Sequence, residues 1–155
     1  MDDKYTGETV KSKYERIAEK LEGADLLVVA TLDDIAWFTN MRGNDIEYNP
    51  LFFSYMIFHN KKEGSDYKVD LFISKNKVST PEVSQFLSDN NVTIHEYNQL
   101  GDKLTEYGAS LASKKVVLDE TSMNYKVYNL LKTQNFEIIH KDNVVELMKA
   151  SKNKP

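Results

Sequence analysis

Cysteine does not occur among the 155 residues, which excludes disulfide bonds, thiolate nucleophiles and thiolate metal sites and agrees with a reducing compartment. Arginine is scarce: two of the 20 basic residues, one of them Arg42, the rest being lysine. Long apolar runs are missing too, none approaching the roughly 20 residues that span a bilayer, and the start MDDKYTGETV is too polar for a secretory signal. A soluble, cytoplasmic protein with no membrane partner is the expectation. Surplus positive charge is also lacking, since 24 acids against 20 bases leave a net charge of -4. Nothing in that balance draws a polyanion, and nucleic acid is not expected as a partner. With 6 glycines and 3 prolines, no linker-like stretch and no repeat interrupts the chain, so one domain over residues 1–155 with one core is predicted.

What is present alternates between helical and extended patterns. Apolar residues at helical spacing predict a first helix over residues 8–21, with Thr6 as N-cap and Gly23 as its stop. The run ADLLVVA, residues 24–30, reads as a central strand covered on both faces. A second helix is expected over residues 31–40, with Thr31 and Asp34 in the spacing of a capping box. Residues 51–58 and 68–74 read as strands joined in a hairpin by the turn-rich HNKKEGSDY. Thr80, Pro81 and Glu82 start a further helix. Strands over residues 92–97, 115–119 and 136–140 then alternate with helices over 100–108, 122–133 and 143–150. Six strands alternating with helices, with one hairpin, predict a three-layer α/β/α sandwich around a mixed sheet. The polar tail SKNKP reads as an unstructured end or a connection onward.

The most informative stretch is LDDIAWFTNMRGNDIEYNPLFF, residues 32–53. It holds the only tryptophan, Trp37, and Arg42, the sole lysine or arginine between residues 21 and 60. Around Arg42 stand Glu22, Asp25, Asp33, Asp34, Asp45 and Glu47. A guanidinium offers a fixed fork of donors suited to a carboxylate or a peptide carbonyl, which lysine cannot reproduce. Gly43 permits a positive φ or the close approach of another segment, and Asn49 before Pro50 is pushed into an extended conformation. The loop therefore has a defined shape, and two roles stand open: a structural loop in which Arg42 pairs with Asp45, or a contact surface for a partner or substrate.

The remaining chemistry-bearing residues are sparse. His59, His95 and His140 are far apart in sequence and in no metal-ligand spacing, so they read as structural or surface residues. Asp119 and Glu120 end a strand, where acids commonly begin the next turn. Asp33 and Asp34 after the first strand, with Lys114 or Lys115, loosely mimic a phospho-acceptor signalling domain. Asp70 stands at the start of its strand rather than at the end, where an acceptor belongs. A ribonuclease-H-type nuclease would need converging acids that the spacing does not assemble.

The stretch LDDIAWFTNMRGNDIEYNPLFFSY resembles the second domain of three-domain cytosolic Xaa-Pro aminopeptidases. Their pattern is L-D-E-I-A-W-L-x-N-L-R-G-x-D-x-x-x-N-P-x-F-x-x-Y, from which Asp34, Phe38 and Met41 are mild departures. YTGETVKSKYERI and NVVELMKASKNKP also resemble that domain's beginning and end. The resemblance implies a creatinase/prolidase N-terminal fold with a ribonuclease-H-like mixed sheet. It implies that catalysis belongs to a pita-bread domain C-terminal to this chain, where two divalent metals, commonly manganese, are held by two Asp, two Glu and one His and activate water against X-Pro bonds. This chain alone is then expected to be inactive and to hold no cofactor. Its implied partners are that catalytic domain, a second copy of the parent enzyme, and the proline-containing peptide. By the same resemblance, Trp37, Arg42, Gly43, Asp45, Asn49 and Pro50 are the positions expected to face the catalytic domain or its substrate. The alternative is a stand-alone binding or receiver-like signalling domain.

Overall fold

The apolar run at residues 24–30 forms β1 (Leu26–Val29), whose four residues are all buried. It lies inside the sheet of the computed structural model, which describes residues 3–62 and 64–151. From edge to edge the sheet runs β4 (Val92–His95), β3 (Lys68–Phe72), β2 (Tyr55–His59), β1, β5 (Lys115–Leu118) and β6 (Glu137–His140). β2 pairs antiparallel with both β1 and β3, and the other three pairings are parallel. The expected hairpin is thus formed, and it is the reason the sheet is mixed.

Side chains alternate across the sheet with a period of two. Leu27, Val29, Met56, Phe58, Val69 and Leu71 face one layer; Leu26, Val28, Ile57, Phe72, Val116 and Leu118 face the other. The first face is covered by buried residues of α2 (Val10–Lys20), α3 (Leu32–Phe38), α4 (Pro81–Asp89) and α7 (Val144–Ala150), the second by those of α5 (Leu100–Ser110) and α6 (Tyr125–Thr133). A short α1 (Asp3–Thr6) precedes them. This is the predicted three-layer sandwich. Tyr14, Phe38 and Phe58 anchor the first layer with ring centroids 5.4 to 5.6 Å apart, each such contact contributing about 0.5–1.5 kcal/mol beyond the area it buries.

The helix starts show where local signals prevailed and where they did not. Thr80 accepts from the Val83 amide with Pro81 behind it, as expected of a threonine cap. The first helix is capped by Thr9, not Thr6: the Thr9 hydroxyl accepts from Ser12 N at 3.1 Å, and Gly7 at φ +73° separates α1 from α2. The capping box expected at Thr31 does not form. Thr31 makes no side-chain capping bond, and its buried hydroxyl has no partner among the described residues. Asp34 is instead turned toward α7, where Asn143 Nδ2 and Lys149 Nζ donate to it at 2.5 and 2.6 Å. For a buried carboxylate a charged partner outweighs one orphan amide. Of the predicted polar tail, the part beyond Ser151 lies outside the described residues.

Candidate functional site

The motif loop leaves the end of α3 and returns to β2 as a folded arch. Gly43 N donates to Pro50 O at 3.1 Å and Asp45 N to Leu51 O at 3.0 Å, while a tight turn joins Asn49 N to Ile46 O at 3.1 Å. The Leu51 carbonyl is thus turned back into the loop, and the strand predicted over 51–58 begins at Tyr55. Of the two options for Gly43, close approach is the one realised: a Cβ there would stand 2.7 Å from the Phe52 Cβ. At the tip, Tyr48 is 95% exposed in a left-handed conformation, φ +63°, an uncommon setting for a bulky residue. Sequence reasoning passed over it.

The Arg42–Asp45 pair, which belonged to one of the two roles left open for the loop, is not made. Arg42 Nη1 donates to the carbonyls of Ala36 at 2.8 Å and Met41 at 2.7 Å, stitching the loop to α3. Asp45 is taken by Lys77 Nζ at 2.5 Å and by the Phe53 amide at 2.7 Å. The Lys77 bond, then the Phe53 amide, hold its carboxyl below the usual range. A lysine placed by the turn after β3 offers Asp45 a direct partner, and two backbone carbonyls engage Arg42 Nη1. The six predicted residues thus fall into two groups. Gly43, Asp45, Asn49 and Pro50 build the arch, with Asn49 and Pro50 exposed. Trp37 and Arg42 line a cleft of about 220 Å³ shared with α2 and α7. There the Lys13 ammonium sits 4.2 Å from the centroid of the Trp37 ring and donates to Trp37 O at 2.6 Å and Asn40 Oδ1 at 2.5 Å.

The structure also assembles a polar cluster that the sequence reading scattered. Asp70, in the middle of β3, is 1% exposed. His59 Nε2 lies 2.5 Å and His95 Nε2 2.9 Å from its two oxygens, and the Tyr107 hydroxyl of α5 donates to it. Register explains the convergence: Asp70 is opposite Ile57 on β2 and Thr93 on β4, so His59 and His95 are its diagonal neighbours on one face. Burial raises the Asp70 pKa, but hydrogen bonds from His59 and Tyr107, the attraction of His59 and the His95 bond outweigh it and hold it well below the usual carboxylate range. Burial, then the Asp70 bond, push the Tyr107 hydroxyl up. The two histidines read as separate structural residues are in fact partners. The signal available beforehand was an acid inside the apolar strand VDLFI, which cannot be buried without donors.

These residues do not fit a dinuclear metal site. Both imidazole Nε2 atoms point at one carboxylate at hydrogen-bond distance, and His140 pairs with Glu120 elsewhere, at 3.0 Å. Among the described residues no group of three or more His, Asp or Glu is placed to hold a metal ion. Asp33 and Asp34 are both bound by Lys149. Asp119 accepts from Thr121 N at 2.9 Å and begins the turn, as the plain reading had it.

Three comparisons bear on this arrangement. A family model described as the creatinase/prolidase N-terminal domain matches residues 1–155. Xaa-Pro aminopeptidase 1 of Dictyostelium discoideum is 33% identical over 159 aligned residues, covering 99% of this chain and 23% of its own length. The structure of X-prolyl aminopeptidase from Caenorhabditis elegans, described as a cytosolic enzyme with a di-nuclear active site, superposes with a TM-score of 0.84 at 29% identity, over 99% of this chain and 24% of that one. An N-terminal domain of the peptidase PepQ from Mycobacterium tuberculosis shares the fold, with a TM-score of 0.61 at 12% identity over 98% of that chain. The chain therefore spans about a quarter of the length of the aminopeptidases it matches.

Proposed function

The chain belongs to the creatinase/prolidase N-terminal domain family, and from that premise we propose that it is a single non-catalytic domain of a metal-dependent Xaa-Pro aminopeptidase. Hydrolysis of the bond before proline is assigned to a catalytic portion lying C-terminal to it, with two divalent ions, manganese being the expected metal. The domain packs beside that portion, limits access to the peptide cleft and contributes to dimer contacts in a cytoplasmic enzyme. Trp37, Arg42, Gly43, Asp45, Asn49 and Pro50 form the face turned toward the catalytic portion. The observation that carries this reading is the match along 99% of this chain to only 24% of an enzyme described as di-nuclear. The internal hydrogen bonds of the arch support it, because a loop held this rigidly presents one shape to a partner.

A chimera tests the reading. Residues 1–155 replace the matching segment of the Dictyostelium relative, with and without Arg42→Ala. The expected outcome is a functional chimera whose hydrolysis of an X-Pro peptide falls roughly tenfold or more when Arg42 is removed, since misplacing a positioning element by about 1 Å can cost up to about a hundredfold. Unchanged hydrolysis together with unchanged domain association would remove the role assigned to the loop.

A further inference from the structure

The chain has two arginines in all, Arg16 on α2 and Arg42 after α3, and both line the same cleft. Lys13 and Lys149 line it too, and Glu8 is the single acid among its described lining residues. Four cations of a chain whose net charge is -4 thus line one cleft, two of them paired with acids. Arg16 is bound to Glu8 at 2.6 Å, and Lys149 is engaged by Asp33 and Asp34.

Arg42 differs from these. Its Nη1 is fixed by two backbone carbonyls, and its guanidinium has no carboxylate partner among the described residues. The edge formed by Nε and Nη2, the side-on fork that grips a carboxylate through two parallel bonds, is oriented in advance and makes no bond to the described residues. A cleft of about 220 Å³ is smaller than the roughly 300–1,000 Å³ of sites for drug-sized ligands. It suits a group the size of one side chain.

We propose that this cleft receives the carboxylate of an Asp or Glu side chain from the polypeptide packed on this face, gripped by Arg42 with Arg16 beside it and Trp37 as the wall. The inference rests on the reading of the motif loop as an interface and names what fills it. A protein side chain is favoured over a free anion by that same reading, which already sets polypeptide against this face, and by the small volume of the cleft.

The test uses the whole 155-residue chain, isotope-labelled, with the two arginine Nε–Hε resonances as reporters. N-acetylglutamate N-methylamide is the probe, N-acetylglutamine N-methylamide its neutral isostere and inorganic phosphate the free-anion control. The expected result is a saturable shift of the Arg42 resonance with the acid and a response at least roughly tenfold weaker with the isostere. Followed through Arg16, the Arg42→Lys variant, with its thermal unfolding unchanged, weakens binding of the acid, because lysine lacks the fork. No saturable response, an equal response to acid and isostere, or phosphate binding tighter than the acid would overturn the proposal. In the chimera, domain association weakened by Trp37→Ala but unmoved by Arg42→Lys, with a flat acid titration, would sink the carboxylate occupant and leave the interface reading standing.

Discussion

At the scale of single residues, Asp70 is a carboxylate only 1% exposed that two imidazoles and a phenol surround. Its folded pKa lies below the ordinary 3.8, so the stability it contributes is complete above that value and is lost as pH falls through the folded one. Asp70→Asn is therefore expected to destabilise the protein at pH 7 by about 1–3 kcal/mol, the cost of leaving buried hydrogen-bond donors without their charged acceptor. It is also expected to flatten the loss of stability as pH falls below the ordinary 3.8, read from urea unfolding across a pH series. An acid branch as steep as in the parent protein would contradict the assignment. Gly43 makes a second, purely steric point. A Cβ 2.7 Å from the Phe52 Cβ forces backbone against side chain, so Gly43→Ala is expected to cost about 1–3 kcal/mol and lower Tm by several degrees. In Gly23→Ala the added methyl meets nothing within 4 Å, and only the positive φ is strained, about 1 kcal/mol. The motif glycine was legible as a special position; only coordinates separate close approach from unusual φ.

At the scale of elements, α7 is attached by side chains as well as by its apolar face. Asn143 caps it and donates to Asp34, while Lys149 closes on Asp33 and Asp34. Lys149→Met removes the cation from a carboxylate that is 1% exposed. The expected loss is about 3 kcal/mol, accompanied by faster amide hydrogen exchange in α7 than in α5; exchange unchanged in α7 would show that its apolar face suffices. Element existence was legible because period and punctuation agreed, as at Thr80 and Pro81 or in the hairpin. Thr31 and Asp34 show the limit. Their spacing was right for a local cap, but the partner that prevailed stands on α7, more than a hundred residues away in the chain, where no local pattern reaches. The same holds for Asp70, whose partners are set by strand register rather than by proximity in sequence.

At the scale of the whole molecule, the division of labour follows from what is concentrated and what is missing. The motif loop, both arginines and the only tryptophan gather on one side of the sandwich, whereas the histidines spend their donors on an internal carboxylate or on an exposed acid. The motif was readable in the linear sequence as a defined loop and as a family signature. Its separation into an arch and a cleft was not, because that depended on which of several oxygens Arg42 and Lys77 would reach. The most direct test is to incubate the purified 155-residue chain with an X-Pro peptide and saturating manganese and to measure release of the N-terminal residue. The account predicts a rate equal to that of buffer at every protein concentration. Release that rises in proportion to the chain's concentration would contradict it.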